Sequence, residues 1–104
     1  MYAKLLSESL KDWPDELAKK ALVDHTLTCR YELLKILSGQ RDTVYGQLGA
    51  EIAYDRALIK LCASMNIECV VSNFAYPKQE RRRVEAELAR HGVDLETLSR
   101  AQQP

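Results

Sequence analysis

Residues 21–39 read ALVDHTLTCRYELLKILSG and residues 42–66 read DTVYGQLGAEIAYDRALIKLCASMN. These two stretches decide the fold. In the first, Val23, Leu27, Arg30, Leu34 and Leu37 recur at spacings of 4, 3, 4 and 3, the heptad seam of a helix. In the second, Val44, Leu48, Asp55, Ile59 and Cys62 make a similar stripe, flanked by Ile52. Ser38-Gly39 stops the first helix, Gly39 being suited to a left-handed cap. Asp42 opens the next helix, which continues to about Met65 with Asn66 as its stop. So short a link predicts that the two helices fold back as an antiparallel hairpin.

Outward from the hairpin, Tyr2 to Lys11 predicts a helix whose stripe is Leu6, Leu10 and Trp13, with Leu5 beside it. Asp12-Trp13-Pro14-Asp15-Glu16 reads as the start of the second helix, with proline in its first turn and acids at its positive end. Ile67 to Val71 is partly β-branched, but no second strand-like segment exists to pair with it. Residues 67–76 are therefore expected to be irregular, with Ile67, Val70, Val71 and Phe74 packed on the bundle. Tyr76-Pro77 begins a fourth helix, His91-Gly92 ends it, and Asp94 caps a last turn through Leu98. The expectation is an all-α fold: four main helices and a short C-terminal turn in one domain over 1–99, with residues 100–104 frayed.

Composition agrees and excludes several functions. The 104 residues are 46% hydrophobic and 29% charged, the profile of one folded domain. Fifteen basic residues balance fifteen acidic ones, so the surplus of positive charge typical of nucleic-acid binders is missing. No apolar run nears the roughly 20 residues of a membrane span. Ser7, Glu8 and Lys11 interrupt the apolar start of the chain, which argues against a secretory signal and for a cytoplasmic location. The cysteines, Cys29, Cys62 and Cys69, are odd in number and lack metal-ligand spacing, so reduced, buried thiols are expected. No phosphate loop or nucleophile elbow is present, and neither cofactor nor metal is expected.

Charges set into apolar stripes are the sharpest sequence feature. Arg30 lies at the centre of one seam; Asp55 interrupts the other, with Glu51 one turn before it. Folding the hairpin about its turn places Arg30 level with Glu51, and Asp55 near His25 and Thr26. A buried charge without a partner costs several kcal/mol, so Arg30 is expected to meet the acids. The arrangement reads as a structural pair that fixes helix register. Its alternative is a polar pocket in which Arg30, Glu51, Asp55 and His25 bind an anionic ligand, with an acid as proton donor or acceptor. Leu48-x-x-Glu51-Ile52-x-x-Asp55-Arg56-x-Leu58-Ile59-x-Leu61 resembles the first helix of the all-helical chorismate mutases over about fifteen residues. The later arginine and lysine with which such enzymes grip a dicarboxylate have no counterparts here at matching distances.

Two further features compete for a role. Gly46, Ala50, Ala53, Ala57 and Ser64, with Gly49 nearby, line one side of the third helix. Small residues admit a closely packed neighbour, from this chain or from a second copy about a two-fold axis. Arg81-Arg82-Arg83 could bind phosphate, yet spacings to Glu85 and Glu87 predict ordinary helical ion pairs, and Val84, Leu88 and His91 mark the buried side. The class expected is a non-enzymatic interaction or regulatory protein, with another protein or a second copy of itself as partner.

Overall fold

The computed structural model describes residues 2–11, 18–39 and 44–102. Five α-helices and one 3-10 turn follow in order among them: α1 (Tyr2–Lys11), α2 (Lys19–Leu37), α3 (Val44–Ser64), the turn (Val71–Ala75), α4 (Pro77–Arg90) and α5 (Leu95–Gln102). There is no strand among these residues. The most extensive contact in the fold joins α2 to α3, the antiparallel hairpin. α1 packs on α3 and the 3-10 turn, α4 on α3, and α5 on α2 and α4. The Cα radius of gyration is 13.0 Å, the value expected of a compact chain this long.

Helix ends follow local chemistry closely. Gly39, at φ +95°, donates to Ile36 O at 3.2 Å. Asn66, at φ +57°, turns the chain so that Ile67 N reaches Cys62 O at 2.9 Å, closing a Schellman motif with asparagine in the left-handed position. Gly92 repeats the motif at φ +92°, with Val93 N on Leu88 O at 2.8 Å and both apolar side chains buried. Asp94 caps α5 as expected, its Oδ1 accepting from Thr97 N at 3.2 Å.

Some boundaries differ. The expected helix start at Asp12 to Glu16, and the opening of the third helix at Asp42, lie outside the described residues. Ala18 is extended at φ −60°, ψ 150°, so α2 begins at Lys19, later than expected. α5 runs to Gln102, so the turn expected to fray from Arg100 is helical, helped by Arg100 Nη2 on Glu96 Oε1 at 2.7 Å. Residues 67–76 are irregular apart from the 3-10 turn; Ile67 and Phe74 are buried there, whereas Val70 is exposed.

The core sits around α3. From Tyr54 to Cys62, every residue of α3 except Arg56 and Lys60 is buried, which makes α3 the more deeply set helix of the central hairpin. On α2 the buried line is Leu22, Thr26, Cys29 and Leu33, with Leu27 beside it. This is the neighbour of the Leu-rich seam read from the sequence. Thr26 tolerates complete burial because its hydroxyl donates to Leu22 O at 2.6 Å. The far end of the expected seam is instead on the surface, with Leu34 at 44% and Leu37 at 49% exposure. Ala57 is fully buried and Ala50 and Ala53 pack on the core, so these small residues serve contacts within the chain.

Candidate functional site

Asp55 is fully buried, as its place on an apolar stripe predicts, but its partner is not Arg30. Arg81 reaches in from α4 and donates from Nε to Asp55 Oδ1 at 2.7 Å and from Nη2 to Oδ2 at 2.8 Å. The same Nη2 lies 3.4 Å from Glu51 Oε1. The Tyr2 hydroxyl of α1 also donates to Asp55 Oδ2. One carboxylate thus ties α1, α3 and α4 together. Burial pushes its pKa above the usual carboxylate range, against the opposing pull of Arg81 and Tyr2.

Arg81 is only 8% exposed, which corrects the reading of Arg81-Arg82-Arg83 as one basic surface patch. Arg81, Val84 and Leu88 fall at i, i+3 and i+7 on the inward face of α4, while His91 is exposed. Arg83 grips Glu80 through two bonds, at 2.8 and 2.6 Å, which holds the Glu80 carboxyl below its usual range. Arg82 alone of the three faces outward without a buried acid beneath it. The expected pairs Arg81–Glu85 and Arg83–Glu87 are replaced: Glu85 accepts from the Tyr54 hydroxyl, and Glu87 pairs with Arg90 at 2.9 Å.

Arg30 has its own set of partners. Its Nε lies 3.8 Å from Glu85 Oε2, and its Nη1 donates to Ser99 Oγ of α5 at 3.1 Å. The offset arises because α2 presents Leu22, Thr26, Cys29 and Leu33 inward, which turns Arg30 to the margin facing α4 and α5. His25 sits beside Cys29, Nε2 to Sγ 3.5 Å, and not with Asp55 as expected. Burial pushes the pKa of the Cys29 thiol up and that of the His25 imidazole down. Among the described residues, no group of three or more His, Cys, Asp or Glu could hold a metal ion.

A groove of about 350 Å³ opens between α2 and α4. Leu33, Leu34 and Leu37 form its apolar wall, and Tyr54 of α3 also lines it. Arg30, Lys78, Arg81, Arg82 and Glu85 supply its charges. Arg81 and Arg30 are offset by the acids just described, so Lys78 and Arg82, both exposed, leave the rim net positive. Glu51, Asp55 and His25 do not line the groove. Tyr31, 49% exposed, extends the apolar face one turn back along α2, with Lys35 Nζ 6.0 Å from its ring centre. Sequence reasoning named Arg30 and Arg82 but missed the groove, because Leu34 and Leu37 read as core. Arg81's partnership was visible only as an arginine at i−3 and i−7 from Val84 and Leu88.

Compared with known proteins, the chain matches no protein family, no curated protein and no solved structure.

Proposed function

We propose that the chain is a non-enzymatic interaction module that docks an acidic amphipathic helix of another protein in the groove between α2 and α4. The observation that carries this reading is the pairing of an exposed apolar face with a basic rim in a chain of zero net charge. Tyr31, Leu34 and Leu37 are large apolar side chains left on the surface of one helix. They recur at i, i+3 and i+6 along one side of α2, an apolar row of the kind that receives the apolar face of a partner helix. Lys78 and Arg82 lie one turn apart on the opposite wall, where acids flanking a partner's leucines would meet them.

Charge argues against a second copy as the occupant. A two-fold contact through this groove sets one net-positive rim against another. The polar network of Arg81, Asp55, Glu51 and Tyr2 supports the groove by fixing α4 against α3 and α1.

The test uses a fluorescein-labelled helical peptide with leucines at every third or fourth position and glutamates between them. The expected result is saturable binding by fluorescence anisotropy that weakens as salt rises, since the rim contacts are screened. Leu34→Ala with Leu37→Ala should weaken it about tenfold, equivalent to about 1.4 kcal/mol. Binding that ignores these substitutions defeats the proposal, as does preference for a short oligonucleotide over the peptide. A concentration-dependent dimer blocking the groove, seen by light scattering, would defeat it as well.

A further inference from the structure

The groove between α2 and α4 differs at its two ends. On α2 its lining runs from Arg30 through Leu33 and Leu34 to Leu37, and on α4 from Lys78 through Arg81 and Arg82 to Glu85. The first residue of one wall meets the last of the other: Arg30 Nε lies 3.8 Å from Glu85 Oε2. α5 stands behind this bridge, packed on both α2 and α4, with Ser99 Oγ accepting from Arg30 Nη1 at 3.1 Å. That end is closed. Leu37 and Lys78, seven residues from Arg30 and Glu85, mark the other end, two turns or about 10 Å away. Both are exposed, so this end is open.

Charge follows the same axis. At the closed end a guanidinium faces a carboxylate, and the Tyr54 hydroxyl donates to that carboxylate as well. Arg81, between the ends, is neutralised by Asp55 and Glu51. Lys78 and Arg82 remain, both exposed, one turn apart toward the open end. The helix poles there offset each other, since the positive start of α4 lies beside the negative end of α2. The two side chains therefore set the sign.

We infer that the groove is directional, an inference that rests on the docking reading above. It takes a helix whose N-terminus stands at the Arg30–Glu85 bridge and whose acids gather in its C-terminal half, over Lys78 and Arg82. The apolar row of Tyr31, Leu34 and Leu37 is evenly spaced and fits a helix of either direction, so charge chooses between them. A helix carries its negative pole at its C-terminus, which the positive open end attracts. Its N-terminal N–H groups lack partners within the helix, and at the closed end the Glu85 carboxylate and the Ser99 hydroxyl are there to accept them. α5 bars the way at that end, so the partner continues as helix past Leu37 and Lys78.

The experiment compares two stapled helical peptides of identical composition and leucine spacing. One carries its glutamates in the C-terminal half and glutamines in the N-terminal half; the other reverses them. Both are acetylated and amidated, and the staple, on the face away from the leucines, equalises their helicity. By fluorescence anisotropy the peptide with C-terminal acids should bind the full chain about fivefold more tightly, the worth of two exposed ion pairs. Lys78→Ala with Arg82→Ala should bring the two peptides within about twofold of each other. A nitroxide on the peptide N-terminus should broaden the amide resonance of Ser99 more than that of Lys78, and one on the C-terminus the reverse. Equal affinities, preference for N-terminal acids, or the opposite broadening pattern, with both peptides bound, would overturn the direction and leave the docking site standing. Failure of both peptides to bind would sink the docking site and the direction together.

Discussion

Arg81→Ala is expected to be among the most destabilising single changes in the polar structure. Asp55 has no exposed surface and receives two short bonds from Arg81, at 2.7 and 2.8 Å. Removing the guanidinium leaves that carboxylate buried, with the Tyr2 hydroxyl still donating to it. Breaking a buried pair from one side costs about 3–5 kcal/mol, a large share of the roughly 5–15 kcal/mol that holds a domain together. The melting temperature should fall by about 12 °C or more. Arg30→Ala provides the contrast. Its ion pair is long, at 3.8 Å, and its side chain is 17% exposed, so losing it and the Ser99 bond should cost about 1 kcal/mol. Urea unfolding followed by circular dichroism would measure both. Replacing the pair together, Arg81→Met with Asp55→Leu, should restore most of the loss, because it leaves no uncompensated charge. A cost below about 1 kcal/mol for Arg81→Ala, or a larger cost for Arg30→Ala, would refute the assignment of Asp55 to Arg81.

Other outcomes follow from single contacts. Tyr2→Phe removes one donor to a buried carboxylate and should destabilise by about 1.5–3 kcal/mol in urea unfolding. Gly92→Ala should cost about 1–2 kcal/mol, wholly from its φ of +92°, since nothing lies within 4 Å of an added Cβ. Arg83 holds Glu80 below its ordinary pKa of 4.5, so unfolding increases the affinity of Glu80 for a proton. Its contribution is therefore full above pH 4.5 and lost as pH falls through the lower folded value; Glu80→Gln should flatten the acid limb of a stability-versus-pH curve.

Helix ends were legible because each rests on a local rule. Gly39, Asn66 and Gly92 adopt the left-handed caps their residue types favour, and Asp94 caps the next helix. The hairpin and the burial of Asp55 were legible from period and stripe. What failed was the choice between adjacent faces. On α2, the leucine-rich line through Leu34 and Leu37 outscored the line through Thr26 and Cys29 on hydropathy. Yet Thr26 lies fully inside because its hydroxyl is satisfied by the helix itself. That rotation of α2 sent Arg30 to Glu85 and Ser99 and left Leu34 and Leu37 outside. Arg81 was misread for a related reason: in a run of three arginines, charge suggested a solvated face, although its register with Val84 and Leu88 pointed inward. Which of two long side chains reaches a buried acid depends on the packing of α4, which no spacing within α2 or α3 encodes.

The most direct test of the docking account is a charge exchange across the groove. Lys78→Glu with Arg82→Glu reverses the rim at two exposed positions, so folding should be unchanged within about 0.5 kcal/mol. The account predicts that this variant loses the leucine-glutamate peptide and gains the same peptide with lysine in place of glutamate. Equal binding of both peptides by both proteins, or retention of the acidic peptide by the reversed rim, would contradict it.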